Sequence, residues 1–200
     1  MLSGPFLSNF VLLLSEYHAR FTHILRCAKS AKRVYHLSVV YRGEDHGEDH
    51  GSLVFASGKG YLKTVTFLVK RRGTNVHINN EIALRSASSY GHLGVVQFLV
   101  QSGANIHVDG NYPLIWASMY GYLGVVQFLV QSGANVHAFN DRALRHASMY
   151  GHLEVVRFLV SQGADVRADD DHALIWASAN GHLEVTQFLI LKGADIHANN

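Results

Sequence analysis

Apolar and polar positions along the chain alternate between two helical patterns. Leu84, Ala87 and Ser88 stand at i, i+3 and i+4, which is one face of a short helix. Val95, Phe98 and Leu99, preceded by Leu93, mark the apolar side of a longer second helix. Gly91 separates the two, at a place where only glycine takes a left-handed backbone cheaply. Gly103 ends the second helix in the same way. Residues 104–111 are polar and too few for another helix, so they read as an extended connector.

The pattern recurs. GHLGVVQFLVQSGANIH begins at Gly91, GYLGVVQFLVQSGANVH at Gly121, GHLEVVRFLVSQGADVR at Gly151 and GHLEVTQFLILKGADIH at Gly181, a spacing of 30 residues. A looser copy begins at Gly60 and carries one extra residue before Gly73. Ahead of each glycine lies a second block: SLVFAS from Ser52, ALRSAS from Ala83, PLIWAS from Pro113, ALRHAS from Ala143 and ALIWAS from Ala173. A lone unit cannot cover its apolar faces, whereas stacked units form a continuous core. Phe98, Phe128, Phe158 and Phe188 are expected to form a column down the stack. Ala87, Ala117, Ala147 and Ala177 are expected to let the helices approach closely.

Composition supports a packed chain. Hydrophobic residues make up 48% and charged residues 16%, which argues against global disorder. Cys27 is the only cysteine, so no internal disulfide or cysteine-rich zinc site is expected, and a reducing intracellular setting is. The net charge of +2 hides an asymmetry: residues 1–72 carry eleven Lys/Arg against five Asp/Glu, and the remainder six against ten. The scattered basic residues match no nucleic-acid recognition motif, so no nucleic acid is expected as a partner. The apolar run at 10–14 is far short of the ~20 residues a membrane helix needs, and no basic stretch precedes it as in a secretory leader.

The run from Gly151 to Val166, GHLEVVRFLVSQGADV, closely resembles the second-helix consensus of ankyrin repeats. The resemblance covers about residues 52–200, in units near 52–80, 81–110, 111–140, 141–170 and 171–200. It implies an all-α solenoid of about five helix-turn-helix repeats. Two departures bear on this. The unit is 30 residues where ankyrin repeats usually run to about 33. The T-P-L-H-x-A block appears as Ala-Leu-Ile-Trp-Ala in the fifth copy, and only Pro113 keeps the proline. The missing residues fall where ankyrin proteins build the tip of a β-hairpin finger, so shortened fingers with little or no paired β-structure are expected. The 30-residue unit and the A-L-x-x-A-S block look like the ankyrin proteins of giant DNA viruses of amoebae.

The resemblance also implies function. Ankyrin domains bind other proteins through finger tips and the inner face of the first helices. Carried over by position, the finger candidates are Asp109, Asn111, Tyr112, Phe139, Arg142, Asp169, Asp170 and Asp171. The first-helix candidates are Tyr90, Met119, Tyr120, Met149 and Tyr150. The three tyrosines form a ladder of the residue type that binding hot spots favour, though they could equally pack along the groove and hydrogen-bond locally. The expected role is a non-enzymatic scaffold or adaptor for a protein partner. The alternatives are a host-directed adaptor of protein degradation, for which no F-box-like segment is recognisable, and a membrane-surface protein.

Other features read structurally. Trp116 and Trp176 alternate with Ser86 and His146, in step with Ile115/Ile175 and Arg85/Arg145, which suggests packing complementarity along the stack. His92, His152 and His182 recur at one repeat position, and His77, His107, His137 and His197 at another, too widely spread to converge on a metal. Residues 43–51, GEDHGEDHG, read as a charged linker, although their acids and histidines could chelate a cation. Asp169, Asp170 and Asp171 lack calcium-loop spacing and read as a solvated acidic connector, a docking spot for a basic partner. No phosphate loop or nucleophile elbow occurs, and His23 beside Cys27 is an isolated pair, so neither an enzyme nor a cofactor is expected.

At the N-terminus, Phe6, Phe10, Leu13, Tyr17, Phe21, Ile24 and Ala28 step by threes and fours, with Arg20, Arg26, Lys29, Lys32 and Arg33 on the polar side. Residues 1–42 are therefore expected to be a helical segment that caps the first repeat, or that lies on an anionic membrane. At the other end, Leu191 stands where earlier repeats have Gln or Ser, so the last repeat face is expected to be partly bare.

Overall fold

The computed structural model describes residues 47–197. The expected N-terminal helical segment and the His23/Cys27 pair lie outside the described residues. Ten helices stand among the described residues, and no strands. They run in pairs: α1 (Gly47–Gly58) with α2 (Leu62–Arg72), α3 (Ile78–Ser89) with α4 (Leu93–Gln101), α5 (Val108–Met119) with α6 (Leu123–Gln131), α7 (Ala138–Met149) with α8 (Leu153–Ser161), and α9 (Ala168–Ala179) with α10 (Leu183–Leu191). First helices pack on the first helices of neighbouring pairs, and second helices on second helices less extensively. That is the nearest-neighbour geometry of a solenoid.

The core follows the periodicity. Leu84, Leu114 and Leu144 from the first helices, and Leu99, Leu129 and Leu159 from the second, are fully buried or nearly so. Each such leucine contributes roughly 1.5–3 kcal/mol on leaving water. Ala87, Ala117, Ala147 and Ala177 are fully buried, and no larger side chain would fit at such close helix approaches. Phe98, Phe128 and Phe158 are half-buried against this core, and only Phe188 of the set is buried.

Two expectations are corrected. First, the connectors are not extended. Each first helix from α3 onward opens with three consecutive left-handed residues: Asn79–Asn80–Glu81, Asp109–Gly110–Asn111, Phe139–Asn140–Asp141 and Asp169–Asp170–Asp171. This single left-handed turn replaces the hairpin finger. A left-handed residue costs roughly 1–2 kcal/mol, and least for Gly, Asn and Asp. Nine of these twelve positions are Asn or Asp and one is Gly110, so the composition matches the backbone demand. Second, Gly47–Gly51 is not linker, because α1 begins at Gly47; residues 43–46 lie outside the described residues. The extra residue expected before Gly73 is taken up in the second helix of that repeat: α2 has 11 residues where α4 has 9.

At the last repeat, Leu183, Ile190, Leu191 and Ile196 are exposed. Val76, Ile106, Val136 and Val166, which match Ile196 in the earlier repeats, are buried. The apolar face of this last described repeat is exposed. Leu191 is not evidence of it, since the matching Gln101, Gln131 and Ser161 are exposed even with a following repeat.

Candidate partner-binding face

Successive first helices present side chains at i, i+4 and i+8 on one side of the stack. On α5 these are Tyr112, Trp116 and Tyr120; on α7, Arg142, His146 and Tyr150; on α9 and its C-cap, His172, Trp176 and Asn180. Tyr90, Tyr120 and Tyr150 each cap a first helix and are 61%, 49% and 43% exposed. Tyr90 stacks on His92 at 6.4 Å between ring centres, and Tyr120 lies tilted against Tyr122 at the same distance. The ladder is thus supported from below and open above. Met119 and Met149 are half-buried, and their main-chain oxygens accept hydrogen bonds from His152 and His182, which cap the second helix of the following repeat.

The finger residues divide. Phe139 and Asp170 are exposed. Tyr112 and Arg142 are half-buried. Asn111 and Asp171, expected at a partner surface, are buried and already engaged. Asn111 Oδ1 accepts from the Asn135 N–H at 3.0 Å and from His107 Nδ1 at 3.2 Å. Asp171 Oδ1 accepts from the Asp195 N–H at 2.8 Å, and its other oxygen lies 3.6 Å from Arg167 Nε. Asp141 does the same for the Asp165 N–H at 3.1 Å. These side chains tie each turn to the following one, so a solvated acidic connector is the wrong description of Asp171. The clue in the sequence was an acceptor, Glu81, Asn111, Asp141 or Asp171, every 30 residues.

Asp109 and Asp169 are also spoken for. Arg85 Nη1 lies 3.2 Å from Asp109 Oδ2. Arg145 pairs with Asp169, and donates to the main-chain oxygens of Asn140 at 3.0 Å and Phe139 at 2.8 Å. The same two arginines explain the alternation with tryptophan. Arg85 lies over Trp116 at 5.8 Å and Arg145 over Trp176 at 5.7 Å, each reaching from one first helix to the next. The packing complementarity is therefore a cation over a ring.

The histidines work between repeats. Nε2 of His92, His152 and His182 donates to the main-chain oxygens of Gly58, Met119 and Met149 at 3.0, 2.9 and 2.9 Å. His146 differs: its Nδ1 is shut off from solvent and has no hydrogen-bond partner. Burial, with the Arg142 and Arg145 cations, holds its pKa below the ordinary histidine value of 6.5. Among the described residues, no cluster of His, Cys, Asp or Glu has the geometry of a metal site. No helix among them is long and apolar enough to cross a membrane.

No curated protein matches the sequence. The family model for ankyrin repeats matches residues 53–140 and 136–200, the same stretch that folds into the stacked helix pairs. The paired helices and their stacking agree with that match, which covers well more than half of the chain, and the chain belongs to the ankyrin repeat family.

Proposed function

We propose that this protein is a non-enzymatic scaffold that holds a protein partner on the exposed face of its first helices. Ankyrin repeats generally mediate protein–protein interaction. One observation carries the choice of face: Tyr90, Tyr120 and Tyr150 stand exposed at one repeat position while the contacts that hold the repeats together use other residues. Broad, rigid rings with a polar tip are the residues on which binding energy concentrates. The fingers offer less, because Asn111, Asp109, Asp169 and Asp171 already serve the stack. The lone Cys27 favours action in a reducing intracellular compartment. The likeness to viral ankyrin proteins rests on the 30-residue unit and the A-L-x-x-A-S block, and adds only a proposed setting inside an infected cell.

The test is affinity capture with the full chain and with a Tyr90/Tyr120/Tyr150→Ala variant, matched for helix content by circular dichroism. Partners retained by the first and lost by the second support the reading. The same partners recovered at the same yield from both would remove it.

A further inference from the structure

The first-helix face is not uniform in charge. At its centre lie Arg142 and His146, between the rows of α5 and α9. Three arginines stand on these helices, and two of them are satisfied: Arg85 pairs with Asp109 and Arg145 with Asp169 and two main-chain oxygens. Arg142, half-buried, has no hydrogen bond or ion pair among the described residues. Beside it, the Nδ1 of His146 is closed off from water and unpartnered. On α7 the neighbouring cation is Arg145, and α9 brings Asp169 and His172 beside that arginine and Trp176 against the His146 ring. Asp169 is the one carboxylate of the group, and Arg145 and His172 already flank it. Asp141, on the same helix, is buried and turned to His137 and the Asp165 N–H.

The spot is therefore cationic within a part of the chain that is acidic as a whole, since residues 73–200 carry six Lys/Arg against ten Asp/Glu. Burial first, and then the Arg142 and Arg145 cations, hold the pKa of His146 below its ordinary value. A half-buried guanidinium left without a carboxylate is an incomplete recognition site, because its fork geometry matches a carboxylate pairwise. Rings stand nearby: the Trp176 ring lies 6.0 Å from that of His146, the exposed Phe139 is in the first turn of α7 and the exposed Tyr150 caps its end.

We infer that the partner is an acidic polypeptide segment, one of whose Asp or Glu side chains is held by Arg142, beside the His146 ring, while its neighbours lie on the rings around them. This rests on the proposed binding face and adds the chemistry of what binds there. The surrounding acidic surface repels other carboxylates, so the interaction selects for position as well as for sign.

The test is panning of a random heptapeptide library on the immobilised full-length chain. The enriched peptides are expected to carry Asp or Glu beside an apolar residue. Their Glu→Gln or Asp→Asn versions, and binding to the Arg142→Gln protein, are expected to be about tenfold weaker or worse. Lys63→Gln, an equal change of charge on the exposed side of α2, is expected to leave binding intact. In NMR titrations, the bound peptide is expected to raise the midpoint of the His146 ring signal, which a purely structural histidine would not show. Enriched peptides without acidic residues, or equal binding by Arg142→Gln and Lys63→Gln, would overturn the inference. If such peptides still depend on Tyr120 and Tyr150, the binding face stands without it. Enrichment of no peptide would overturn both.

Discussion

His152 lies across the turn glycine Gly121 of the preceding repeat, so close that a Cβ on Gly121 would meet its Nδ1 at 2.5 Å. Gly121 is thus constrained twice. Its φ of 77° is left-handed, and the space a side chain would need is already filled by a ring. Gly181 has a similar φ of 75°, but nothing lies within 4 Å of its absent Cβ. Gly181→Ala is expected to cost about 1 kcal/mol, the backbone penalty alone. Gly121→Ala is expected to cost about 1–3 kcal/mol more, as the His152 hydrogen bond to Met119 is displaced. Urea unfolding of the two variants measures the difference, and equal midpoints would show that the ring moves aside freely.

Asp141 tests the tie between turns. Its Oδ1 accepts from the Asp165 N–H, and it is buried. Asp141→Ala leaves that N–H without its acceptor and is expected to destabilise by about 1–3 kcal/mol. Asp141→Asn keeps the acceptor, as Asn111 does at the matching position, and is expected to lose well under half as much. Thermal melts of both variants check the ordering.

Arg145 tests the clamp between repeats. Its guanidinium serves two main-chain oxygens, Asp169 and the face of Trp176 together. A lysine carries the charge but not the fork. Arg145→Lys is expected to cost about 1–2 kcal/mol, and faster amide exchange is expected in α9 than in α3. Exchange that rises evenly along the stack would mean that the clamp is not local.

His146 gives the stack an acid sensitivity. Its folded-state pKa is below 6.5 because burial and two arginines disfavour the proton. The unfolded chain therefore binds that proton more readily. The stability this histidine contributes is complete above about pH 6.5 and is lost as the pH falls. His146→Ser, which copies Ser86 beside Arg85, is expected to lessen the fall in urea midpoint between about pH 7.5 and pH 5.5. An unchanged pH dependence would place the titration elsewhere.

Much of this was legible before the coordinates. The repeat unit, the apolar faces of Leu84 and Leu99 and the turn glycines all follow from periodicity and local backbone chemistry, and the missing hairpin tips follow from the resemblance to ankyrin repeats. The tyrosine ladder was legible too, since a residue recurring every 30 positions must recur on one face of a regular stack. The turns were not. An Asp-rich run such as 169–171 looks solvated, because nothing local says that its third residue bends inward.

The sequence by itself determined the repeat unit, the apolar faces of its two helices, that the units stack, and to which family the chain belongs, because those properties depend on spacing along one chain. Only the tertiary structure decided which polar groups are used up. Asp171, Asp109 and Asp169 bond to groups some 24 residues away or across neighbouring helices, and Arg142, of the same residue type as Arg145, is left over. Partners of that kind are chosen by packing between repeats. A linear pattern shows where a charge recurs, and its availability to a second protein depends on what the next helix brings within 3 to 4 Å of it.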